Sequence, residues 1–81
     1  MSRRPTEGSS LLQDVAARVA KRRRAAGLTQ EELAERSNLH HTQISRIERG
    51  ERAPGLLTLA RLAEGLDTDM SELLRGLRLR R

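Results

Sequence analysis

Leu12, Val15, Ala16 and Val19 recur at spacings of three and four, which is the pattern of one buried stripe on a helix. Ser9 or Ser10 supplies an oxygen that can cap this helix, and Gly27 is placed to end it, so it is expected to run to about Ala26. Thr29 then opens a second helix. Its hydroxyl and the Glu32 carboxylate form a T-x-x-E capping box, in which each satisfies the other residue's orphan amide. Ser37-Asn38 interrupts that helix early, and a third helix covers roughly His41 to Arg49, closed by Gly50. After the loop Glu51-Arg52-Ala53-Pro54-Gly55, a fourth helix from about Leu56 to Gly65 carries Leu56, Leu59, Ala60, Ala63 and Leu66 on one stripe. Asp69-x-x-Glu72 is a second capping box, opening a short fifth helix through Arg75. Leu77 to Arg81 follow without a helical pattern. No run of β-branched residues suggests a strand, so the expected fold is all-α with five helices.

Helices two and three carry the strongest signal. Two helices joined by about three residues cannot stack antiparallel and must cross steeply, as in a helix-turn-helix. Ala34 is small where the two would approach, and Asn38 stands where the turn needs a positive φ. Leu39, Ile44 and Ile47 face inward to pin the third helix. The organisation expected is an N-terminal arm over residues 1–9, a single domain over 10–75 and a basic tail over 76–81.

Charge adds a partner class. The chain has 81 residues, with 16 basic and 11 acidic groups and a net charge of +5, which favours a polyanion. The excess lies on the flanks, in Arg22-Arg23-Arg24 and in Arg75, Arg78, Arg80 and Arg81. The first of these runs reads equally as a solvated face or as a set of phosphate contacts. There is no Cys, which excludes disulfides, thiolate metal sites and a Cys nucleophile, and makes the cytoplasm the expected compartment. The longest uncharged stretch is the nine residues Ser37 to Ser45, too short and polar to span a membrane. No apolar run follows Arg3-Arg4 to make an export signal. The absence of Phe, Tyr and Trp removes base-stacking groups, which counts against RNA as the ligand.

Leu28 to Ser37, Ile44 to Gly50 and Leu59 to Leu74 together resemble the phage-repressor or Cro type of helix-turn-helix, the XRE-like family. The resemblance covers about residues 10–75. Asn38 stands where the family most often has Gly, and His40-His41 where Ser and Gln are commoner. The resemblance implies a DNA-binding role with the following parts. Thr29 and Gln30, at the positive end of helix two, clamp a phosphate. His41, Thr42, Gln43 and Arg46 enter the major groove, Arg46 reading guanine and the Thr42 methyl meeting thymine. Arg49, Arg52 and the loop amides hold the DNA backbone. Arg23 and Glu48 form a buried ion pair bracing helix one on helix three.

Family members usually act as homodimers on two-fold operators. Leu57 lies off the fourth helix's stripe and Leu77 and Leu79 follow the last helix, so these three are the expected dimer interface. Some relatives touch RNA polymerase through acids on helix two. Glu31 and Glu35, spaced i, i+4, therefore form a candidate activating patch, or else a solvated face pairing with Arg36 or Arg24. No nucleophile–base–orienter set or Gly-rich phosphate loop is present, so no enzyme activity, cofactor or metal is expected. The expected function is a sequence-specific transcription regulator, such as a restriction–modification controller or a phage-type switch. The alternative is an antitoxin-type module that neutralises a protein partner while regulating its own operon.

Overall fold

The computed structural model describes residues 7–79. Its helices are α1 (Glu7–Ala25), α2 (Gln30–Ser37), α3 (His41–Glu48), α4 (Leu56–Gly65) and α5 (Met70–Leu73). The chain is all-α with five helices and no strand among the described residues. None of these helices is long and apolar enough to cross a membrane.

α1 begins at Glu7, so Ser9 and Ser10 lie inside it rather than capping it. Apolar periodicity could not see this turn, because the first apolar residue of α1 is Leu11. Residues 7–9 of the expected 1–9 arm therefore belong to α1, and residues 1–6 lie outside the described residues. At the other end, Gly27 adopts φ 72°, and the Leu28 amide donates back to the Arg23 carbonyl at 3.1 Å.

α2 starts as its capping box dictates. The Glu32 amide donates to Thr29 Oγ1 at 3.0 Å, and the Thr29 amide donates to Glu32 Oε1 at 2.9 Å. Accepting from the Thr29 backbone holds the Glu32 carboxyl below its ordinary value. α2 ends at Asn38, whose φ of 53° and ψ of 44° place it in the left-handed region that Asn tolerates. The Leu39 amide then closes the turn on the Ala34 carbonyl at 2.9 Å, leading the chain directly into α3.

The core is aliphatic throughout: Val15 and Val19 of α1, Leu33 of α2, Ile44 and Ile47 of α3, Leu62 of α4 and Leu73 of α5. Two of its details correct the sequence pattern. Leu62, absent from the expected stripe, is fully buried, while Leu56, placed on that stripe, is 73% exposed. The first turn of α4 overhangs the core, and the helix is rotated so that Leu62 and Ala63 point inward. α4 also meets α2 more closely than its Leu content suggests. A Cβ built on Gly65 would run into the Ser37 hydroxyl and lie 3.2 Å from Leu33 Cδ1, so any side chain at this crossing forces its neighbours to shift. Ser37, expected merely to interrupt α2, is 1% exposed, and its hydroxyl has no hydrogen-bond partner.

α5 stops at Leu73, two residues short of the expected end. Its cap is half of a box: the Asp69 carboxylate accepts from the Glu72 amide at 2.8 Å, but the Glu72 side chain turns to Arg75 at 3.3 Å and Arg22 at 3.7 Å. Arg18 and Arg22 of α1 tie this corner down by donating to the carbonyls of Leu73 and Glu72. Leu77, at the start of the expected tail, packs against the core.

Candidate nucleic-acid interface

α3 is amphipathic in the simplest sense. Ile44 and Ile47 are buried, and His41, Thr42, Gln43 and Arg46 are exposed. Thr42 and Arg46 are four residues apart and share one side of the helix. A shallow hollow runs from this side to the α3–α4 loop, lined by Thr42, Gln43 and Arg46 on the helix and by Arg52, Ala53 and Pro54 on the loop. His40 also lines it. Arg46 and Arg52 make no ion pair or side-chain hydrogen bond among the described residues, so two guanidinium groups face one depression, with Glu51 acting on Arg46 only through its charge. Sequence reasoning separated these two by role, one to a base and one to phosphate, yet the fold puts them on the same surface.

The other sequence-assigned residues already have partners within the fold. Thr29 is exposed, but its hydroxyl is engaged in the α2 cap. Gln30 donates one Nε2 hydrogen to Glu48 Oε1 at 3.1 Å, which leaves the second Nε2 hydrogen and the carbonyl oxygen for another partner. Arg49 is chelated by Glu51, with Nε to Oε2 at 2.9 Å, and also bonds Ser45 Oγ. The guanidinium holds the Glu51 carboxyl below its ordinary range, and Arg49 is not a free cation like Arg46. Gln43 turns its Oε1 back to accept the His40 amide at 2.9 Å, doing for α3 what Glu32 does for α2.

Behind the exposed face stands the Arg23–Glu48 contact. Arg23 Nε donates to Glu48 Oε2 at 2.7 Å and Nη2 to Oε1 at 3.0 Å, in the fork geometry that suits guanidinium and carboxylate. Nη1 donates to the Leu28 carbonyl at 2.8 Å. The side chains are 12% and 5% exposed. The hydrogen bonds from Arg23 to Glu48 raise the Arg23 pKa further, against the opposing effect of burial. This network links α1, α2 and α3, and so sets how α3 is presented. The run Arg22-Arg23-Arg24 is thereby split three ways: Arg22 to α5, Arg23 to α3, and Arg24 to solvent.

Glu31 and Glu35 lie exposed on α2, and neither pairs with Arg36 or Arg24 among the described residues. Of the three leucines assigned to a dimer interface, Leu57 is 65% and Leu79 49% exposed, whereas Leu77 is occupied by the core. Leu56 joins Leu57 in an exposed pair at the start of α4, which the sequence pattern missed because it placed Leu56 inside.

Two eight-residue helices, α2 and α3, joined through a left-handed Asn38, with a polar outer face on α3, define a helix-turn-helix domain. The helix-turn-helix family profile matches residues 19–73. An uncharacterized HTH-type transcriptional regulator of Sinorhizobium fredii, y4dJ, is 42% identical over 59 residues, covering 73% of this chain and 77% of that protein. The control protein C.SmaI of Serratia marcescens is 51% identical over 47 residues, covering 58% of this chain and 56% of that protein. Among solved structures, the restriction–modification controller protein C.AhdI of Aeromonas hydrophila superposes with a TM-score of 0.74 at 37% identity, covering 76% of this chain and 94% of that one. The chain belongs to the helix-turn-helix family, in its XRE-like branch.

Proposed function

We propose that this protein is a sequence-specific DNA-binding transcription regulator that seats α3 in the major groove of a two-fold operator as a homodimer. The observation that carries the reading is the outer face of α3, where Thr42, Gln43 and Arg46 stand exposed beside the uncompensated Arg52. Likeness to proteins named as control and controller proteins supports a restriction–modification controller over an antitoxin. In a dimer of this kind the two α3 helices reach successive major grooves about 34 Å apart. Leu56 and Leu57 on α4, with Leu79, are the proposed contact between subunits. Glu31 and Glu35 are the proposed contact with RNA polymerase, since a carboxylate pair on α2 gains nothing from phosphate. The role is one of binding rather than catalysis, in the cytoplasm.

The test compares Arg46→Ala with Arg52→Ala on the operator and on random duplex across a salt series. Loss of a base-reading Arg46 costs about 1–3 kcal/mol on the operator and relaxes preference at one base pair. Loss of a phosphate-holding Arg52 weakens all sequences alike and lowers the salt slope by about one unit per subunit. Equal weakening of both DNAs by Arg46→Ala would show that α3 is not the reader.

A further inference from the structure

α3 ends in a corner that its backbone closes without help from side chains. Gly50 adopts φ 71°, its amide donates to the Ile47 carbonyl at 3.0 Å, and the Glu51 amide donates to the Arg46 carbonyl at 3.0 Å. The turn therefore leaves the Glu51 side chain free for another task, and that side chain goes to Arg49. Nε and Nη2 of Arg49 donate to the two carboxylate oxygens at 2.9 and 3.2 Å, and Nη1 donates to Ser45 Oγ. Each nitrogen of this guanidinium carries a bond, yet the two side chains are 54% and 55% exposed, open to an arriving anion.

This pair lies within a run of cations. Arg46 precedes Arg49 by three residues, Arg52 follows Glu51 directly, and both line the hollow of the interface. The Arg46 charge adds to that of Arg49 in holding the Glu51 carboxyl low. A carboxylate among three guanidinium groups weakens a surface suited to a polyanion. The fold gains little in return, because an exposed pair contributes little to stability. A carboxylate does, however, offer the guanidinium fork the same paired oxygens that a phosphate offers. We propose that Glu51 is an intramolecular substitute for DNA phosphate, which keeps Arg49 off the DNA backbone and so limits affinity for any duplex. Arg49, expected from the sequence to hold that backbone, is withheld from it, while Arg52 is not. The proposal rests on the DNA-binding role above. It adds the residue that restrains the sequence-independent part of the affinity, which comes from phosphate contacts.

Glu51→Gln removes the charge and keeps the backbone corner, so its melting midpoint should stay within about 5 °C of wild type. On random-sequence duplex it should bind about two- to fivefold tighter per subunit, the scale of an exposed ion pair. Its log–log salt slope should steepen by about one unit per subunit, since one more phosphate is neutralised. Removing a negative charge anywhere near DNA would give part of this gain, so the deciding measurement is positional. A neutral methylphosphonate is placed at each backbone position of a selected operator in turn, for wild type, Glu51→Gln and Arg49→Ala/Glu51→Gln. Glu51→Gln should acquire one additional sensitive phosphate per half-site, absent from the wild type and lost again in the double variant. A gain with no new sensitive position would overturn the proposal, because Glu51 would then act only through general repulsion. A phosphate sensitive in the wild type but not in Arg49→Ala would also overturn it, since Arg49 would already be holding the backbone. A fall in melting midpoint well beyond 5 °C would give the pair to the fold instead. Failure of the wild type to bind any duplex would remove the proposed function itself, and is distinct from all three.

Discussion

Replacing Glu48 by Ala removes the acceptor for three donors at once. Arg23 Nε, Arg23 Nη2 and Gln30 Nε2 all bond this carboxylate, at 2.7, 3.0 and 3.1 Å. With its partner gone, the guanidinium is left only 12% exposed, with a single remaining bond, to the Leu28 carbonyl. Stranding a buried charge in this way costs about 3–5 kcal/mol. At roughly 0.05–0.15 kcal/mol per residue, a domain of this length holds only about 4–12 kcal/mol in total, so Glu48→Ala removes about a quarter of its stability or more. The reverse half of the argument is equally testable. In Arg23→Met/Glu48→Leu no charge is stranded, and apolar groups of similar volume fill the site, so most of the loss is recovered. The assay is urea unfolding followed by circular dichroism at the helix band, since the chain has no Trp or Tyr to report by fluorescence. The pair is shielded from solvent, so the loss should persist in about 1 M salt, where exposed pairs are screened. A Glu48→Ala variant within about 1 kcal/mol of wild type, or a double variant no better than the single, would refute this account.

Gly65→Ala drives a Cβ into Ser37 Oγ and costs about 1–3 kcal/mol by urea unfolding. Ser37→Ala removes that unpaired buried hydroxyl, raises stability by about 1 kcal/mol, and recovers part of the Gly65→Ala loss, and strictly additive effects would rule out the clash. The capping carboxyls Glu32 and Asp69 both sit below their ordinary values, held by hydrogen bonds from Thr29 and from Ser71. Their contribution is therefore complete above the usual carboxylate range near pH 4 and is lost as pH falls through the lowered values. The melting midpoint should hold above about pH 5 and fall below it, with a shallower fall in Glu32→Gln. Replacing Leu56, Leu57 and Leu79 by Ser yields a folded monomer with weakened operator binding, and sedimentation of the wild type as a monomer on a single half-site would contradict the proposed interface. Glu31→Gln/Glu35→Gln lowers operator-driven transcription while leaving DNA affinity intact, and equal losses in both would remove the polymerase contact.

What the chain determined by itself is what acts over short separations. The Thr29–Glu32 box spans three residues, and the left-handed turn needs only Asn38 and the Leu39 amide returning to Ala34. Such features are set by side-chain chemistry within one or two turns, so α2, the turn and α3 were legible before any packing was known. Val15, Ala16 and Val19 of the α1 stripe are buried for the same reason, because periodicity reports a face directly, whereas Leu12 is only half-buried and Leu11 packs on the core instead. What only the tertiary structure decided is which partner each polar side chain meets, and how each helix is rotated. Arg22, Arg23 and Arg24 are consecutive and chemically identical, and their separate fates depend on Glu72 lying 50 residues away and Glu48 lying 25 away. Leu56 and Leu62 differ in nothing but position on α4, and the close Ser37–Gly65 crossing turns one out and the other in. Gln30 and Gln43 are the same residue type on neighbouring helices, yet one gives its nitrogen to Glu48 and the other its oxygen to His40. Helix crossing angles bring these groups together, and a crossing is a property of the packed core rather than of any local stretch of chain.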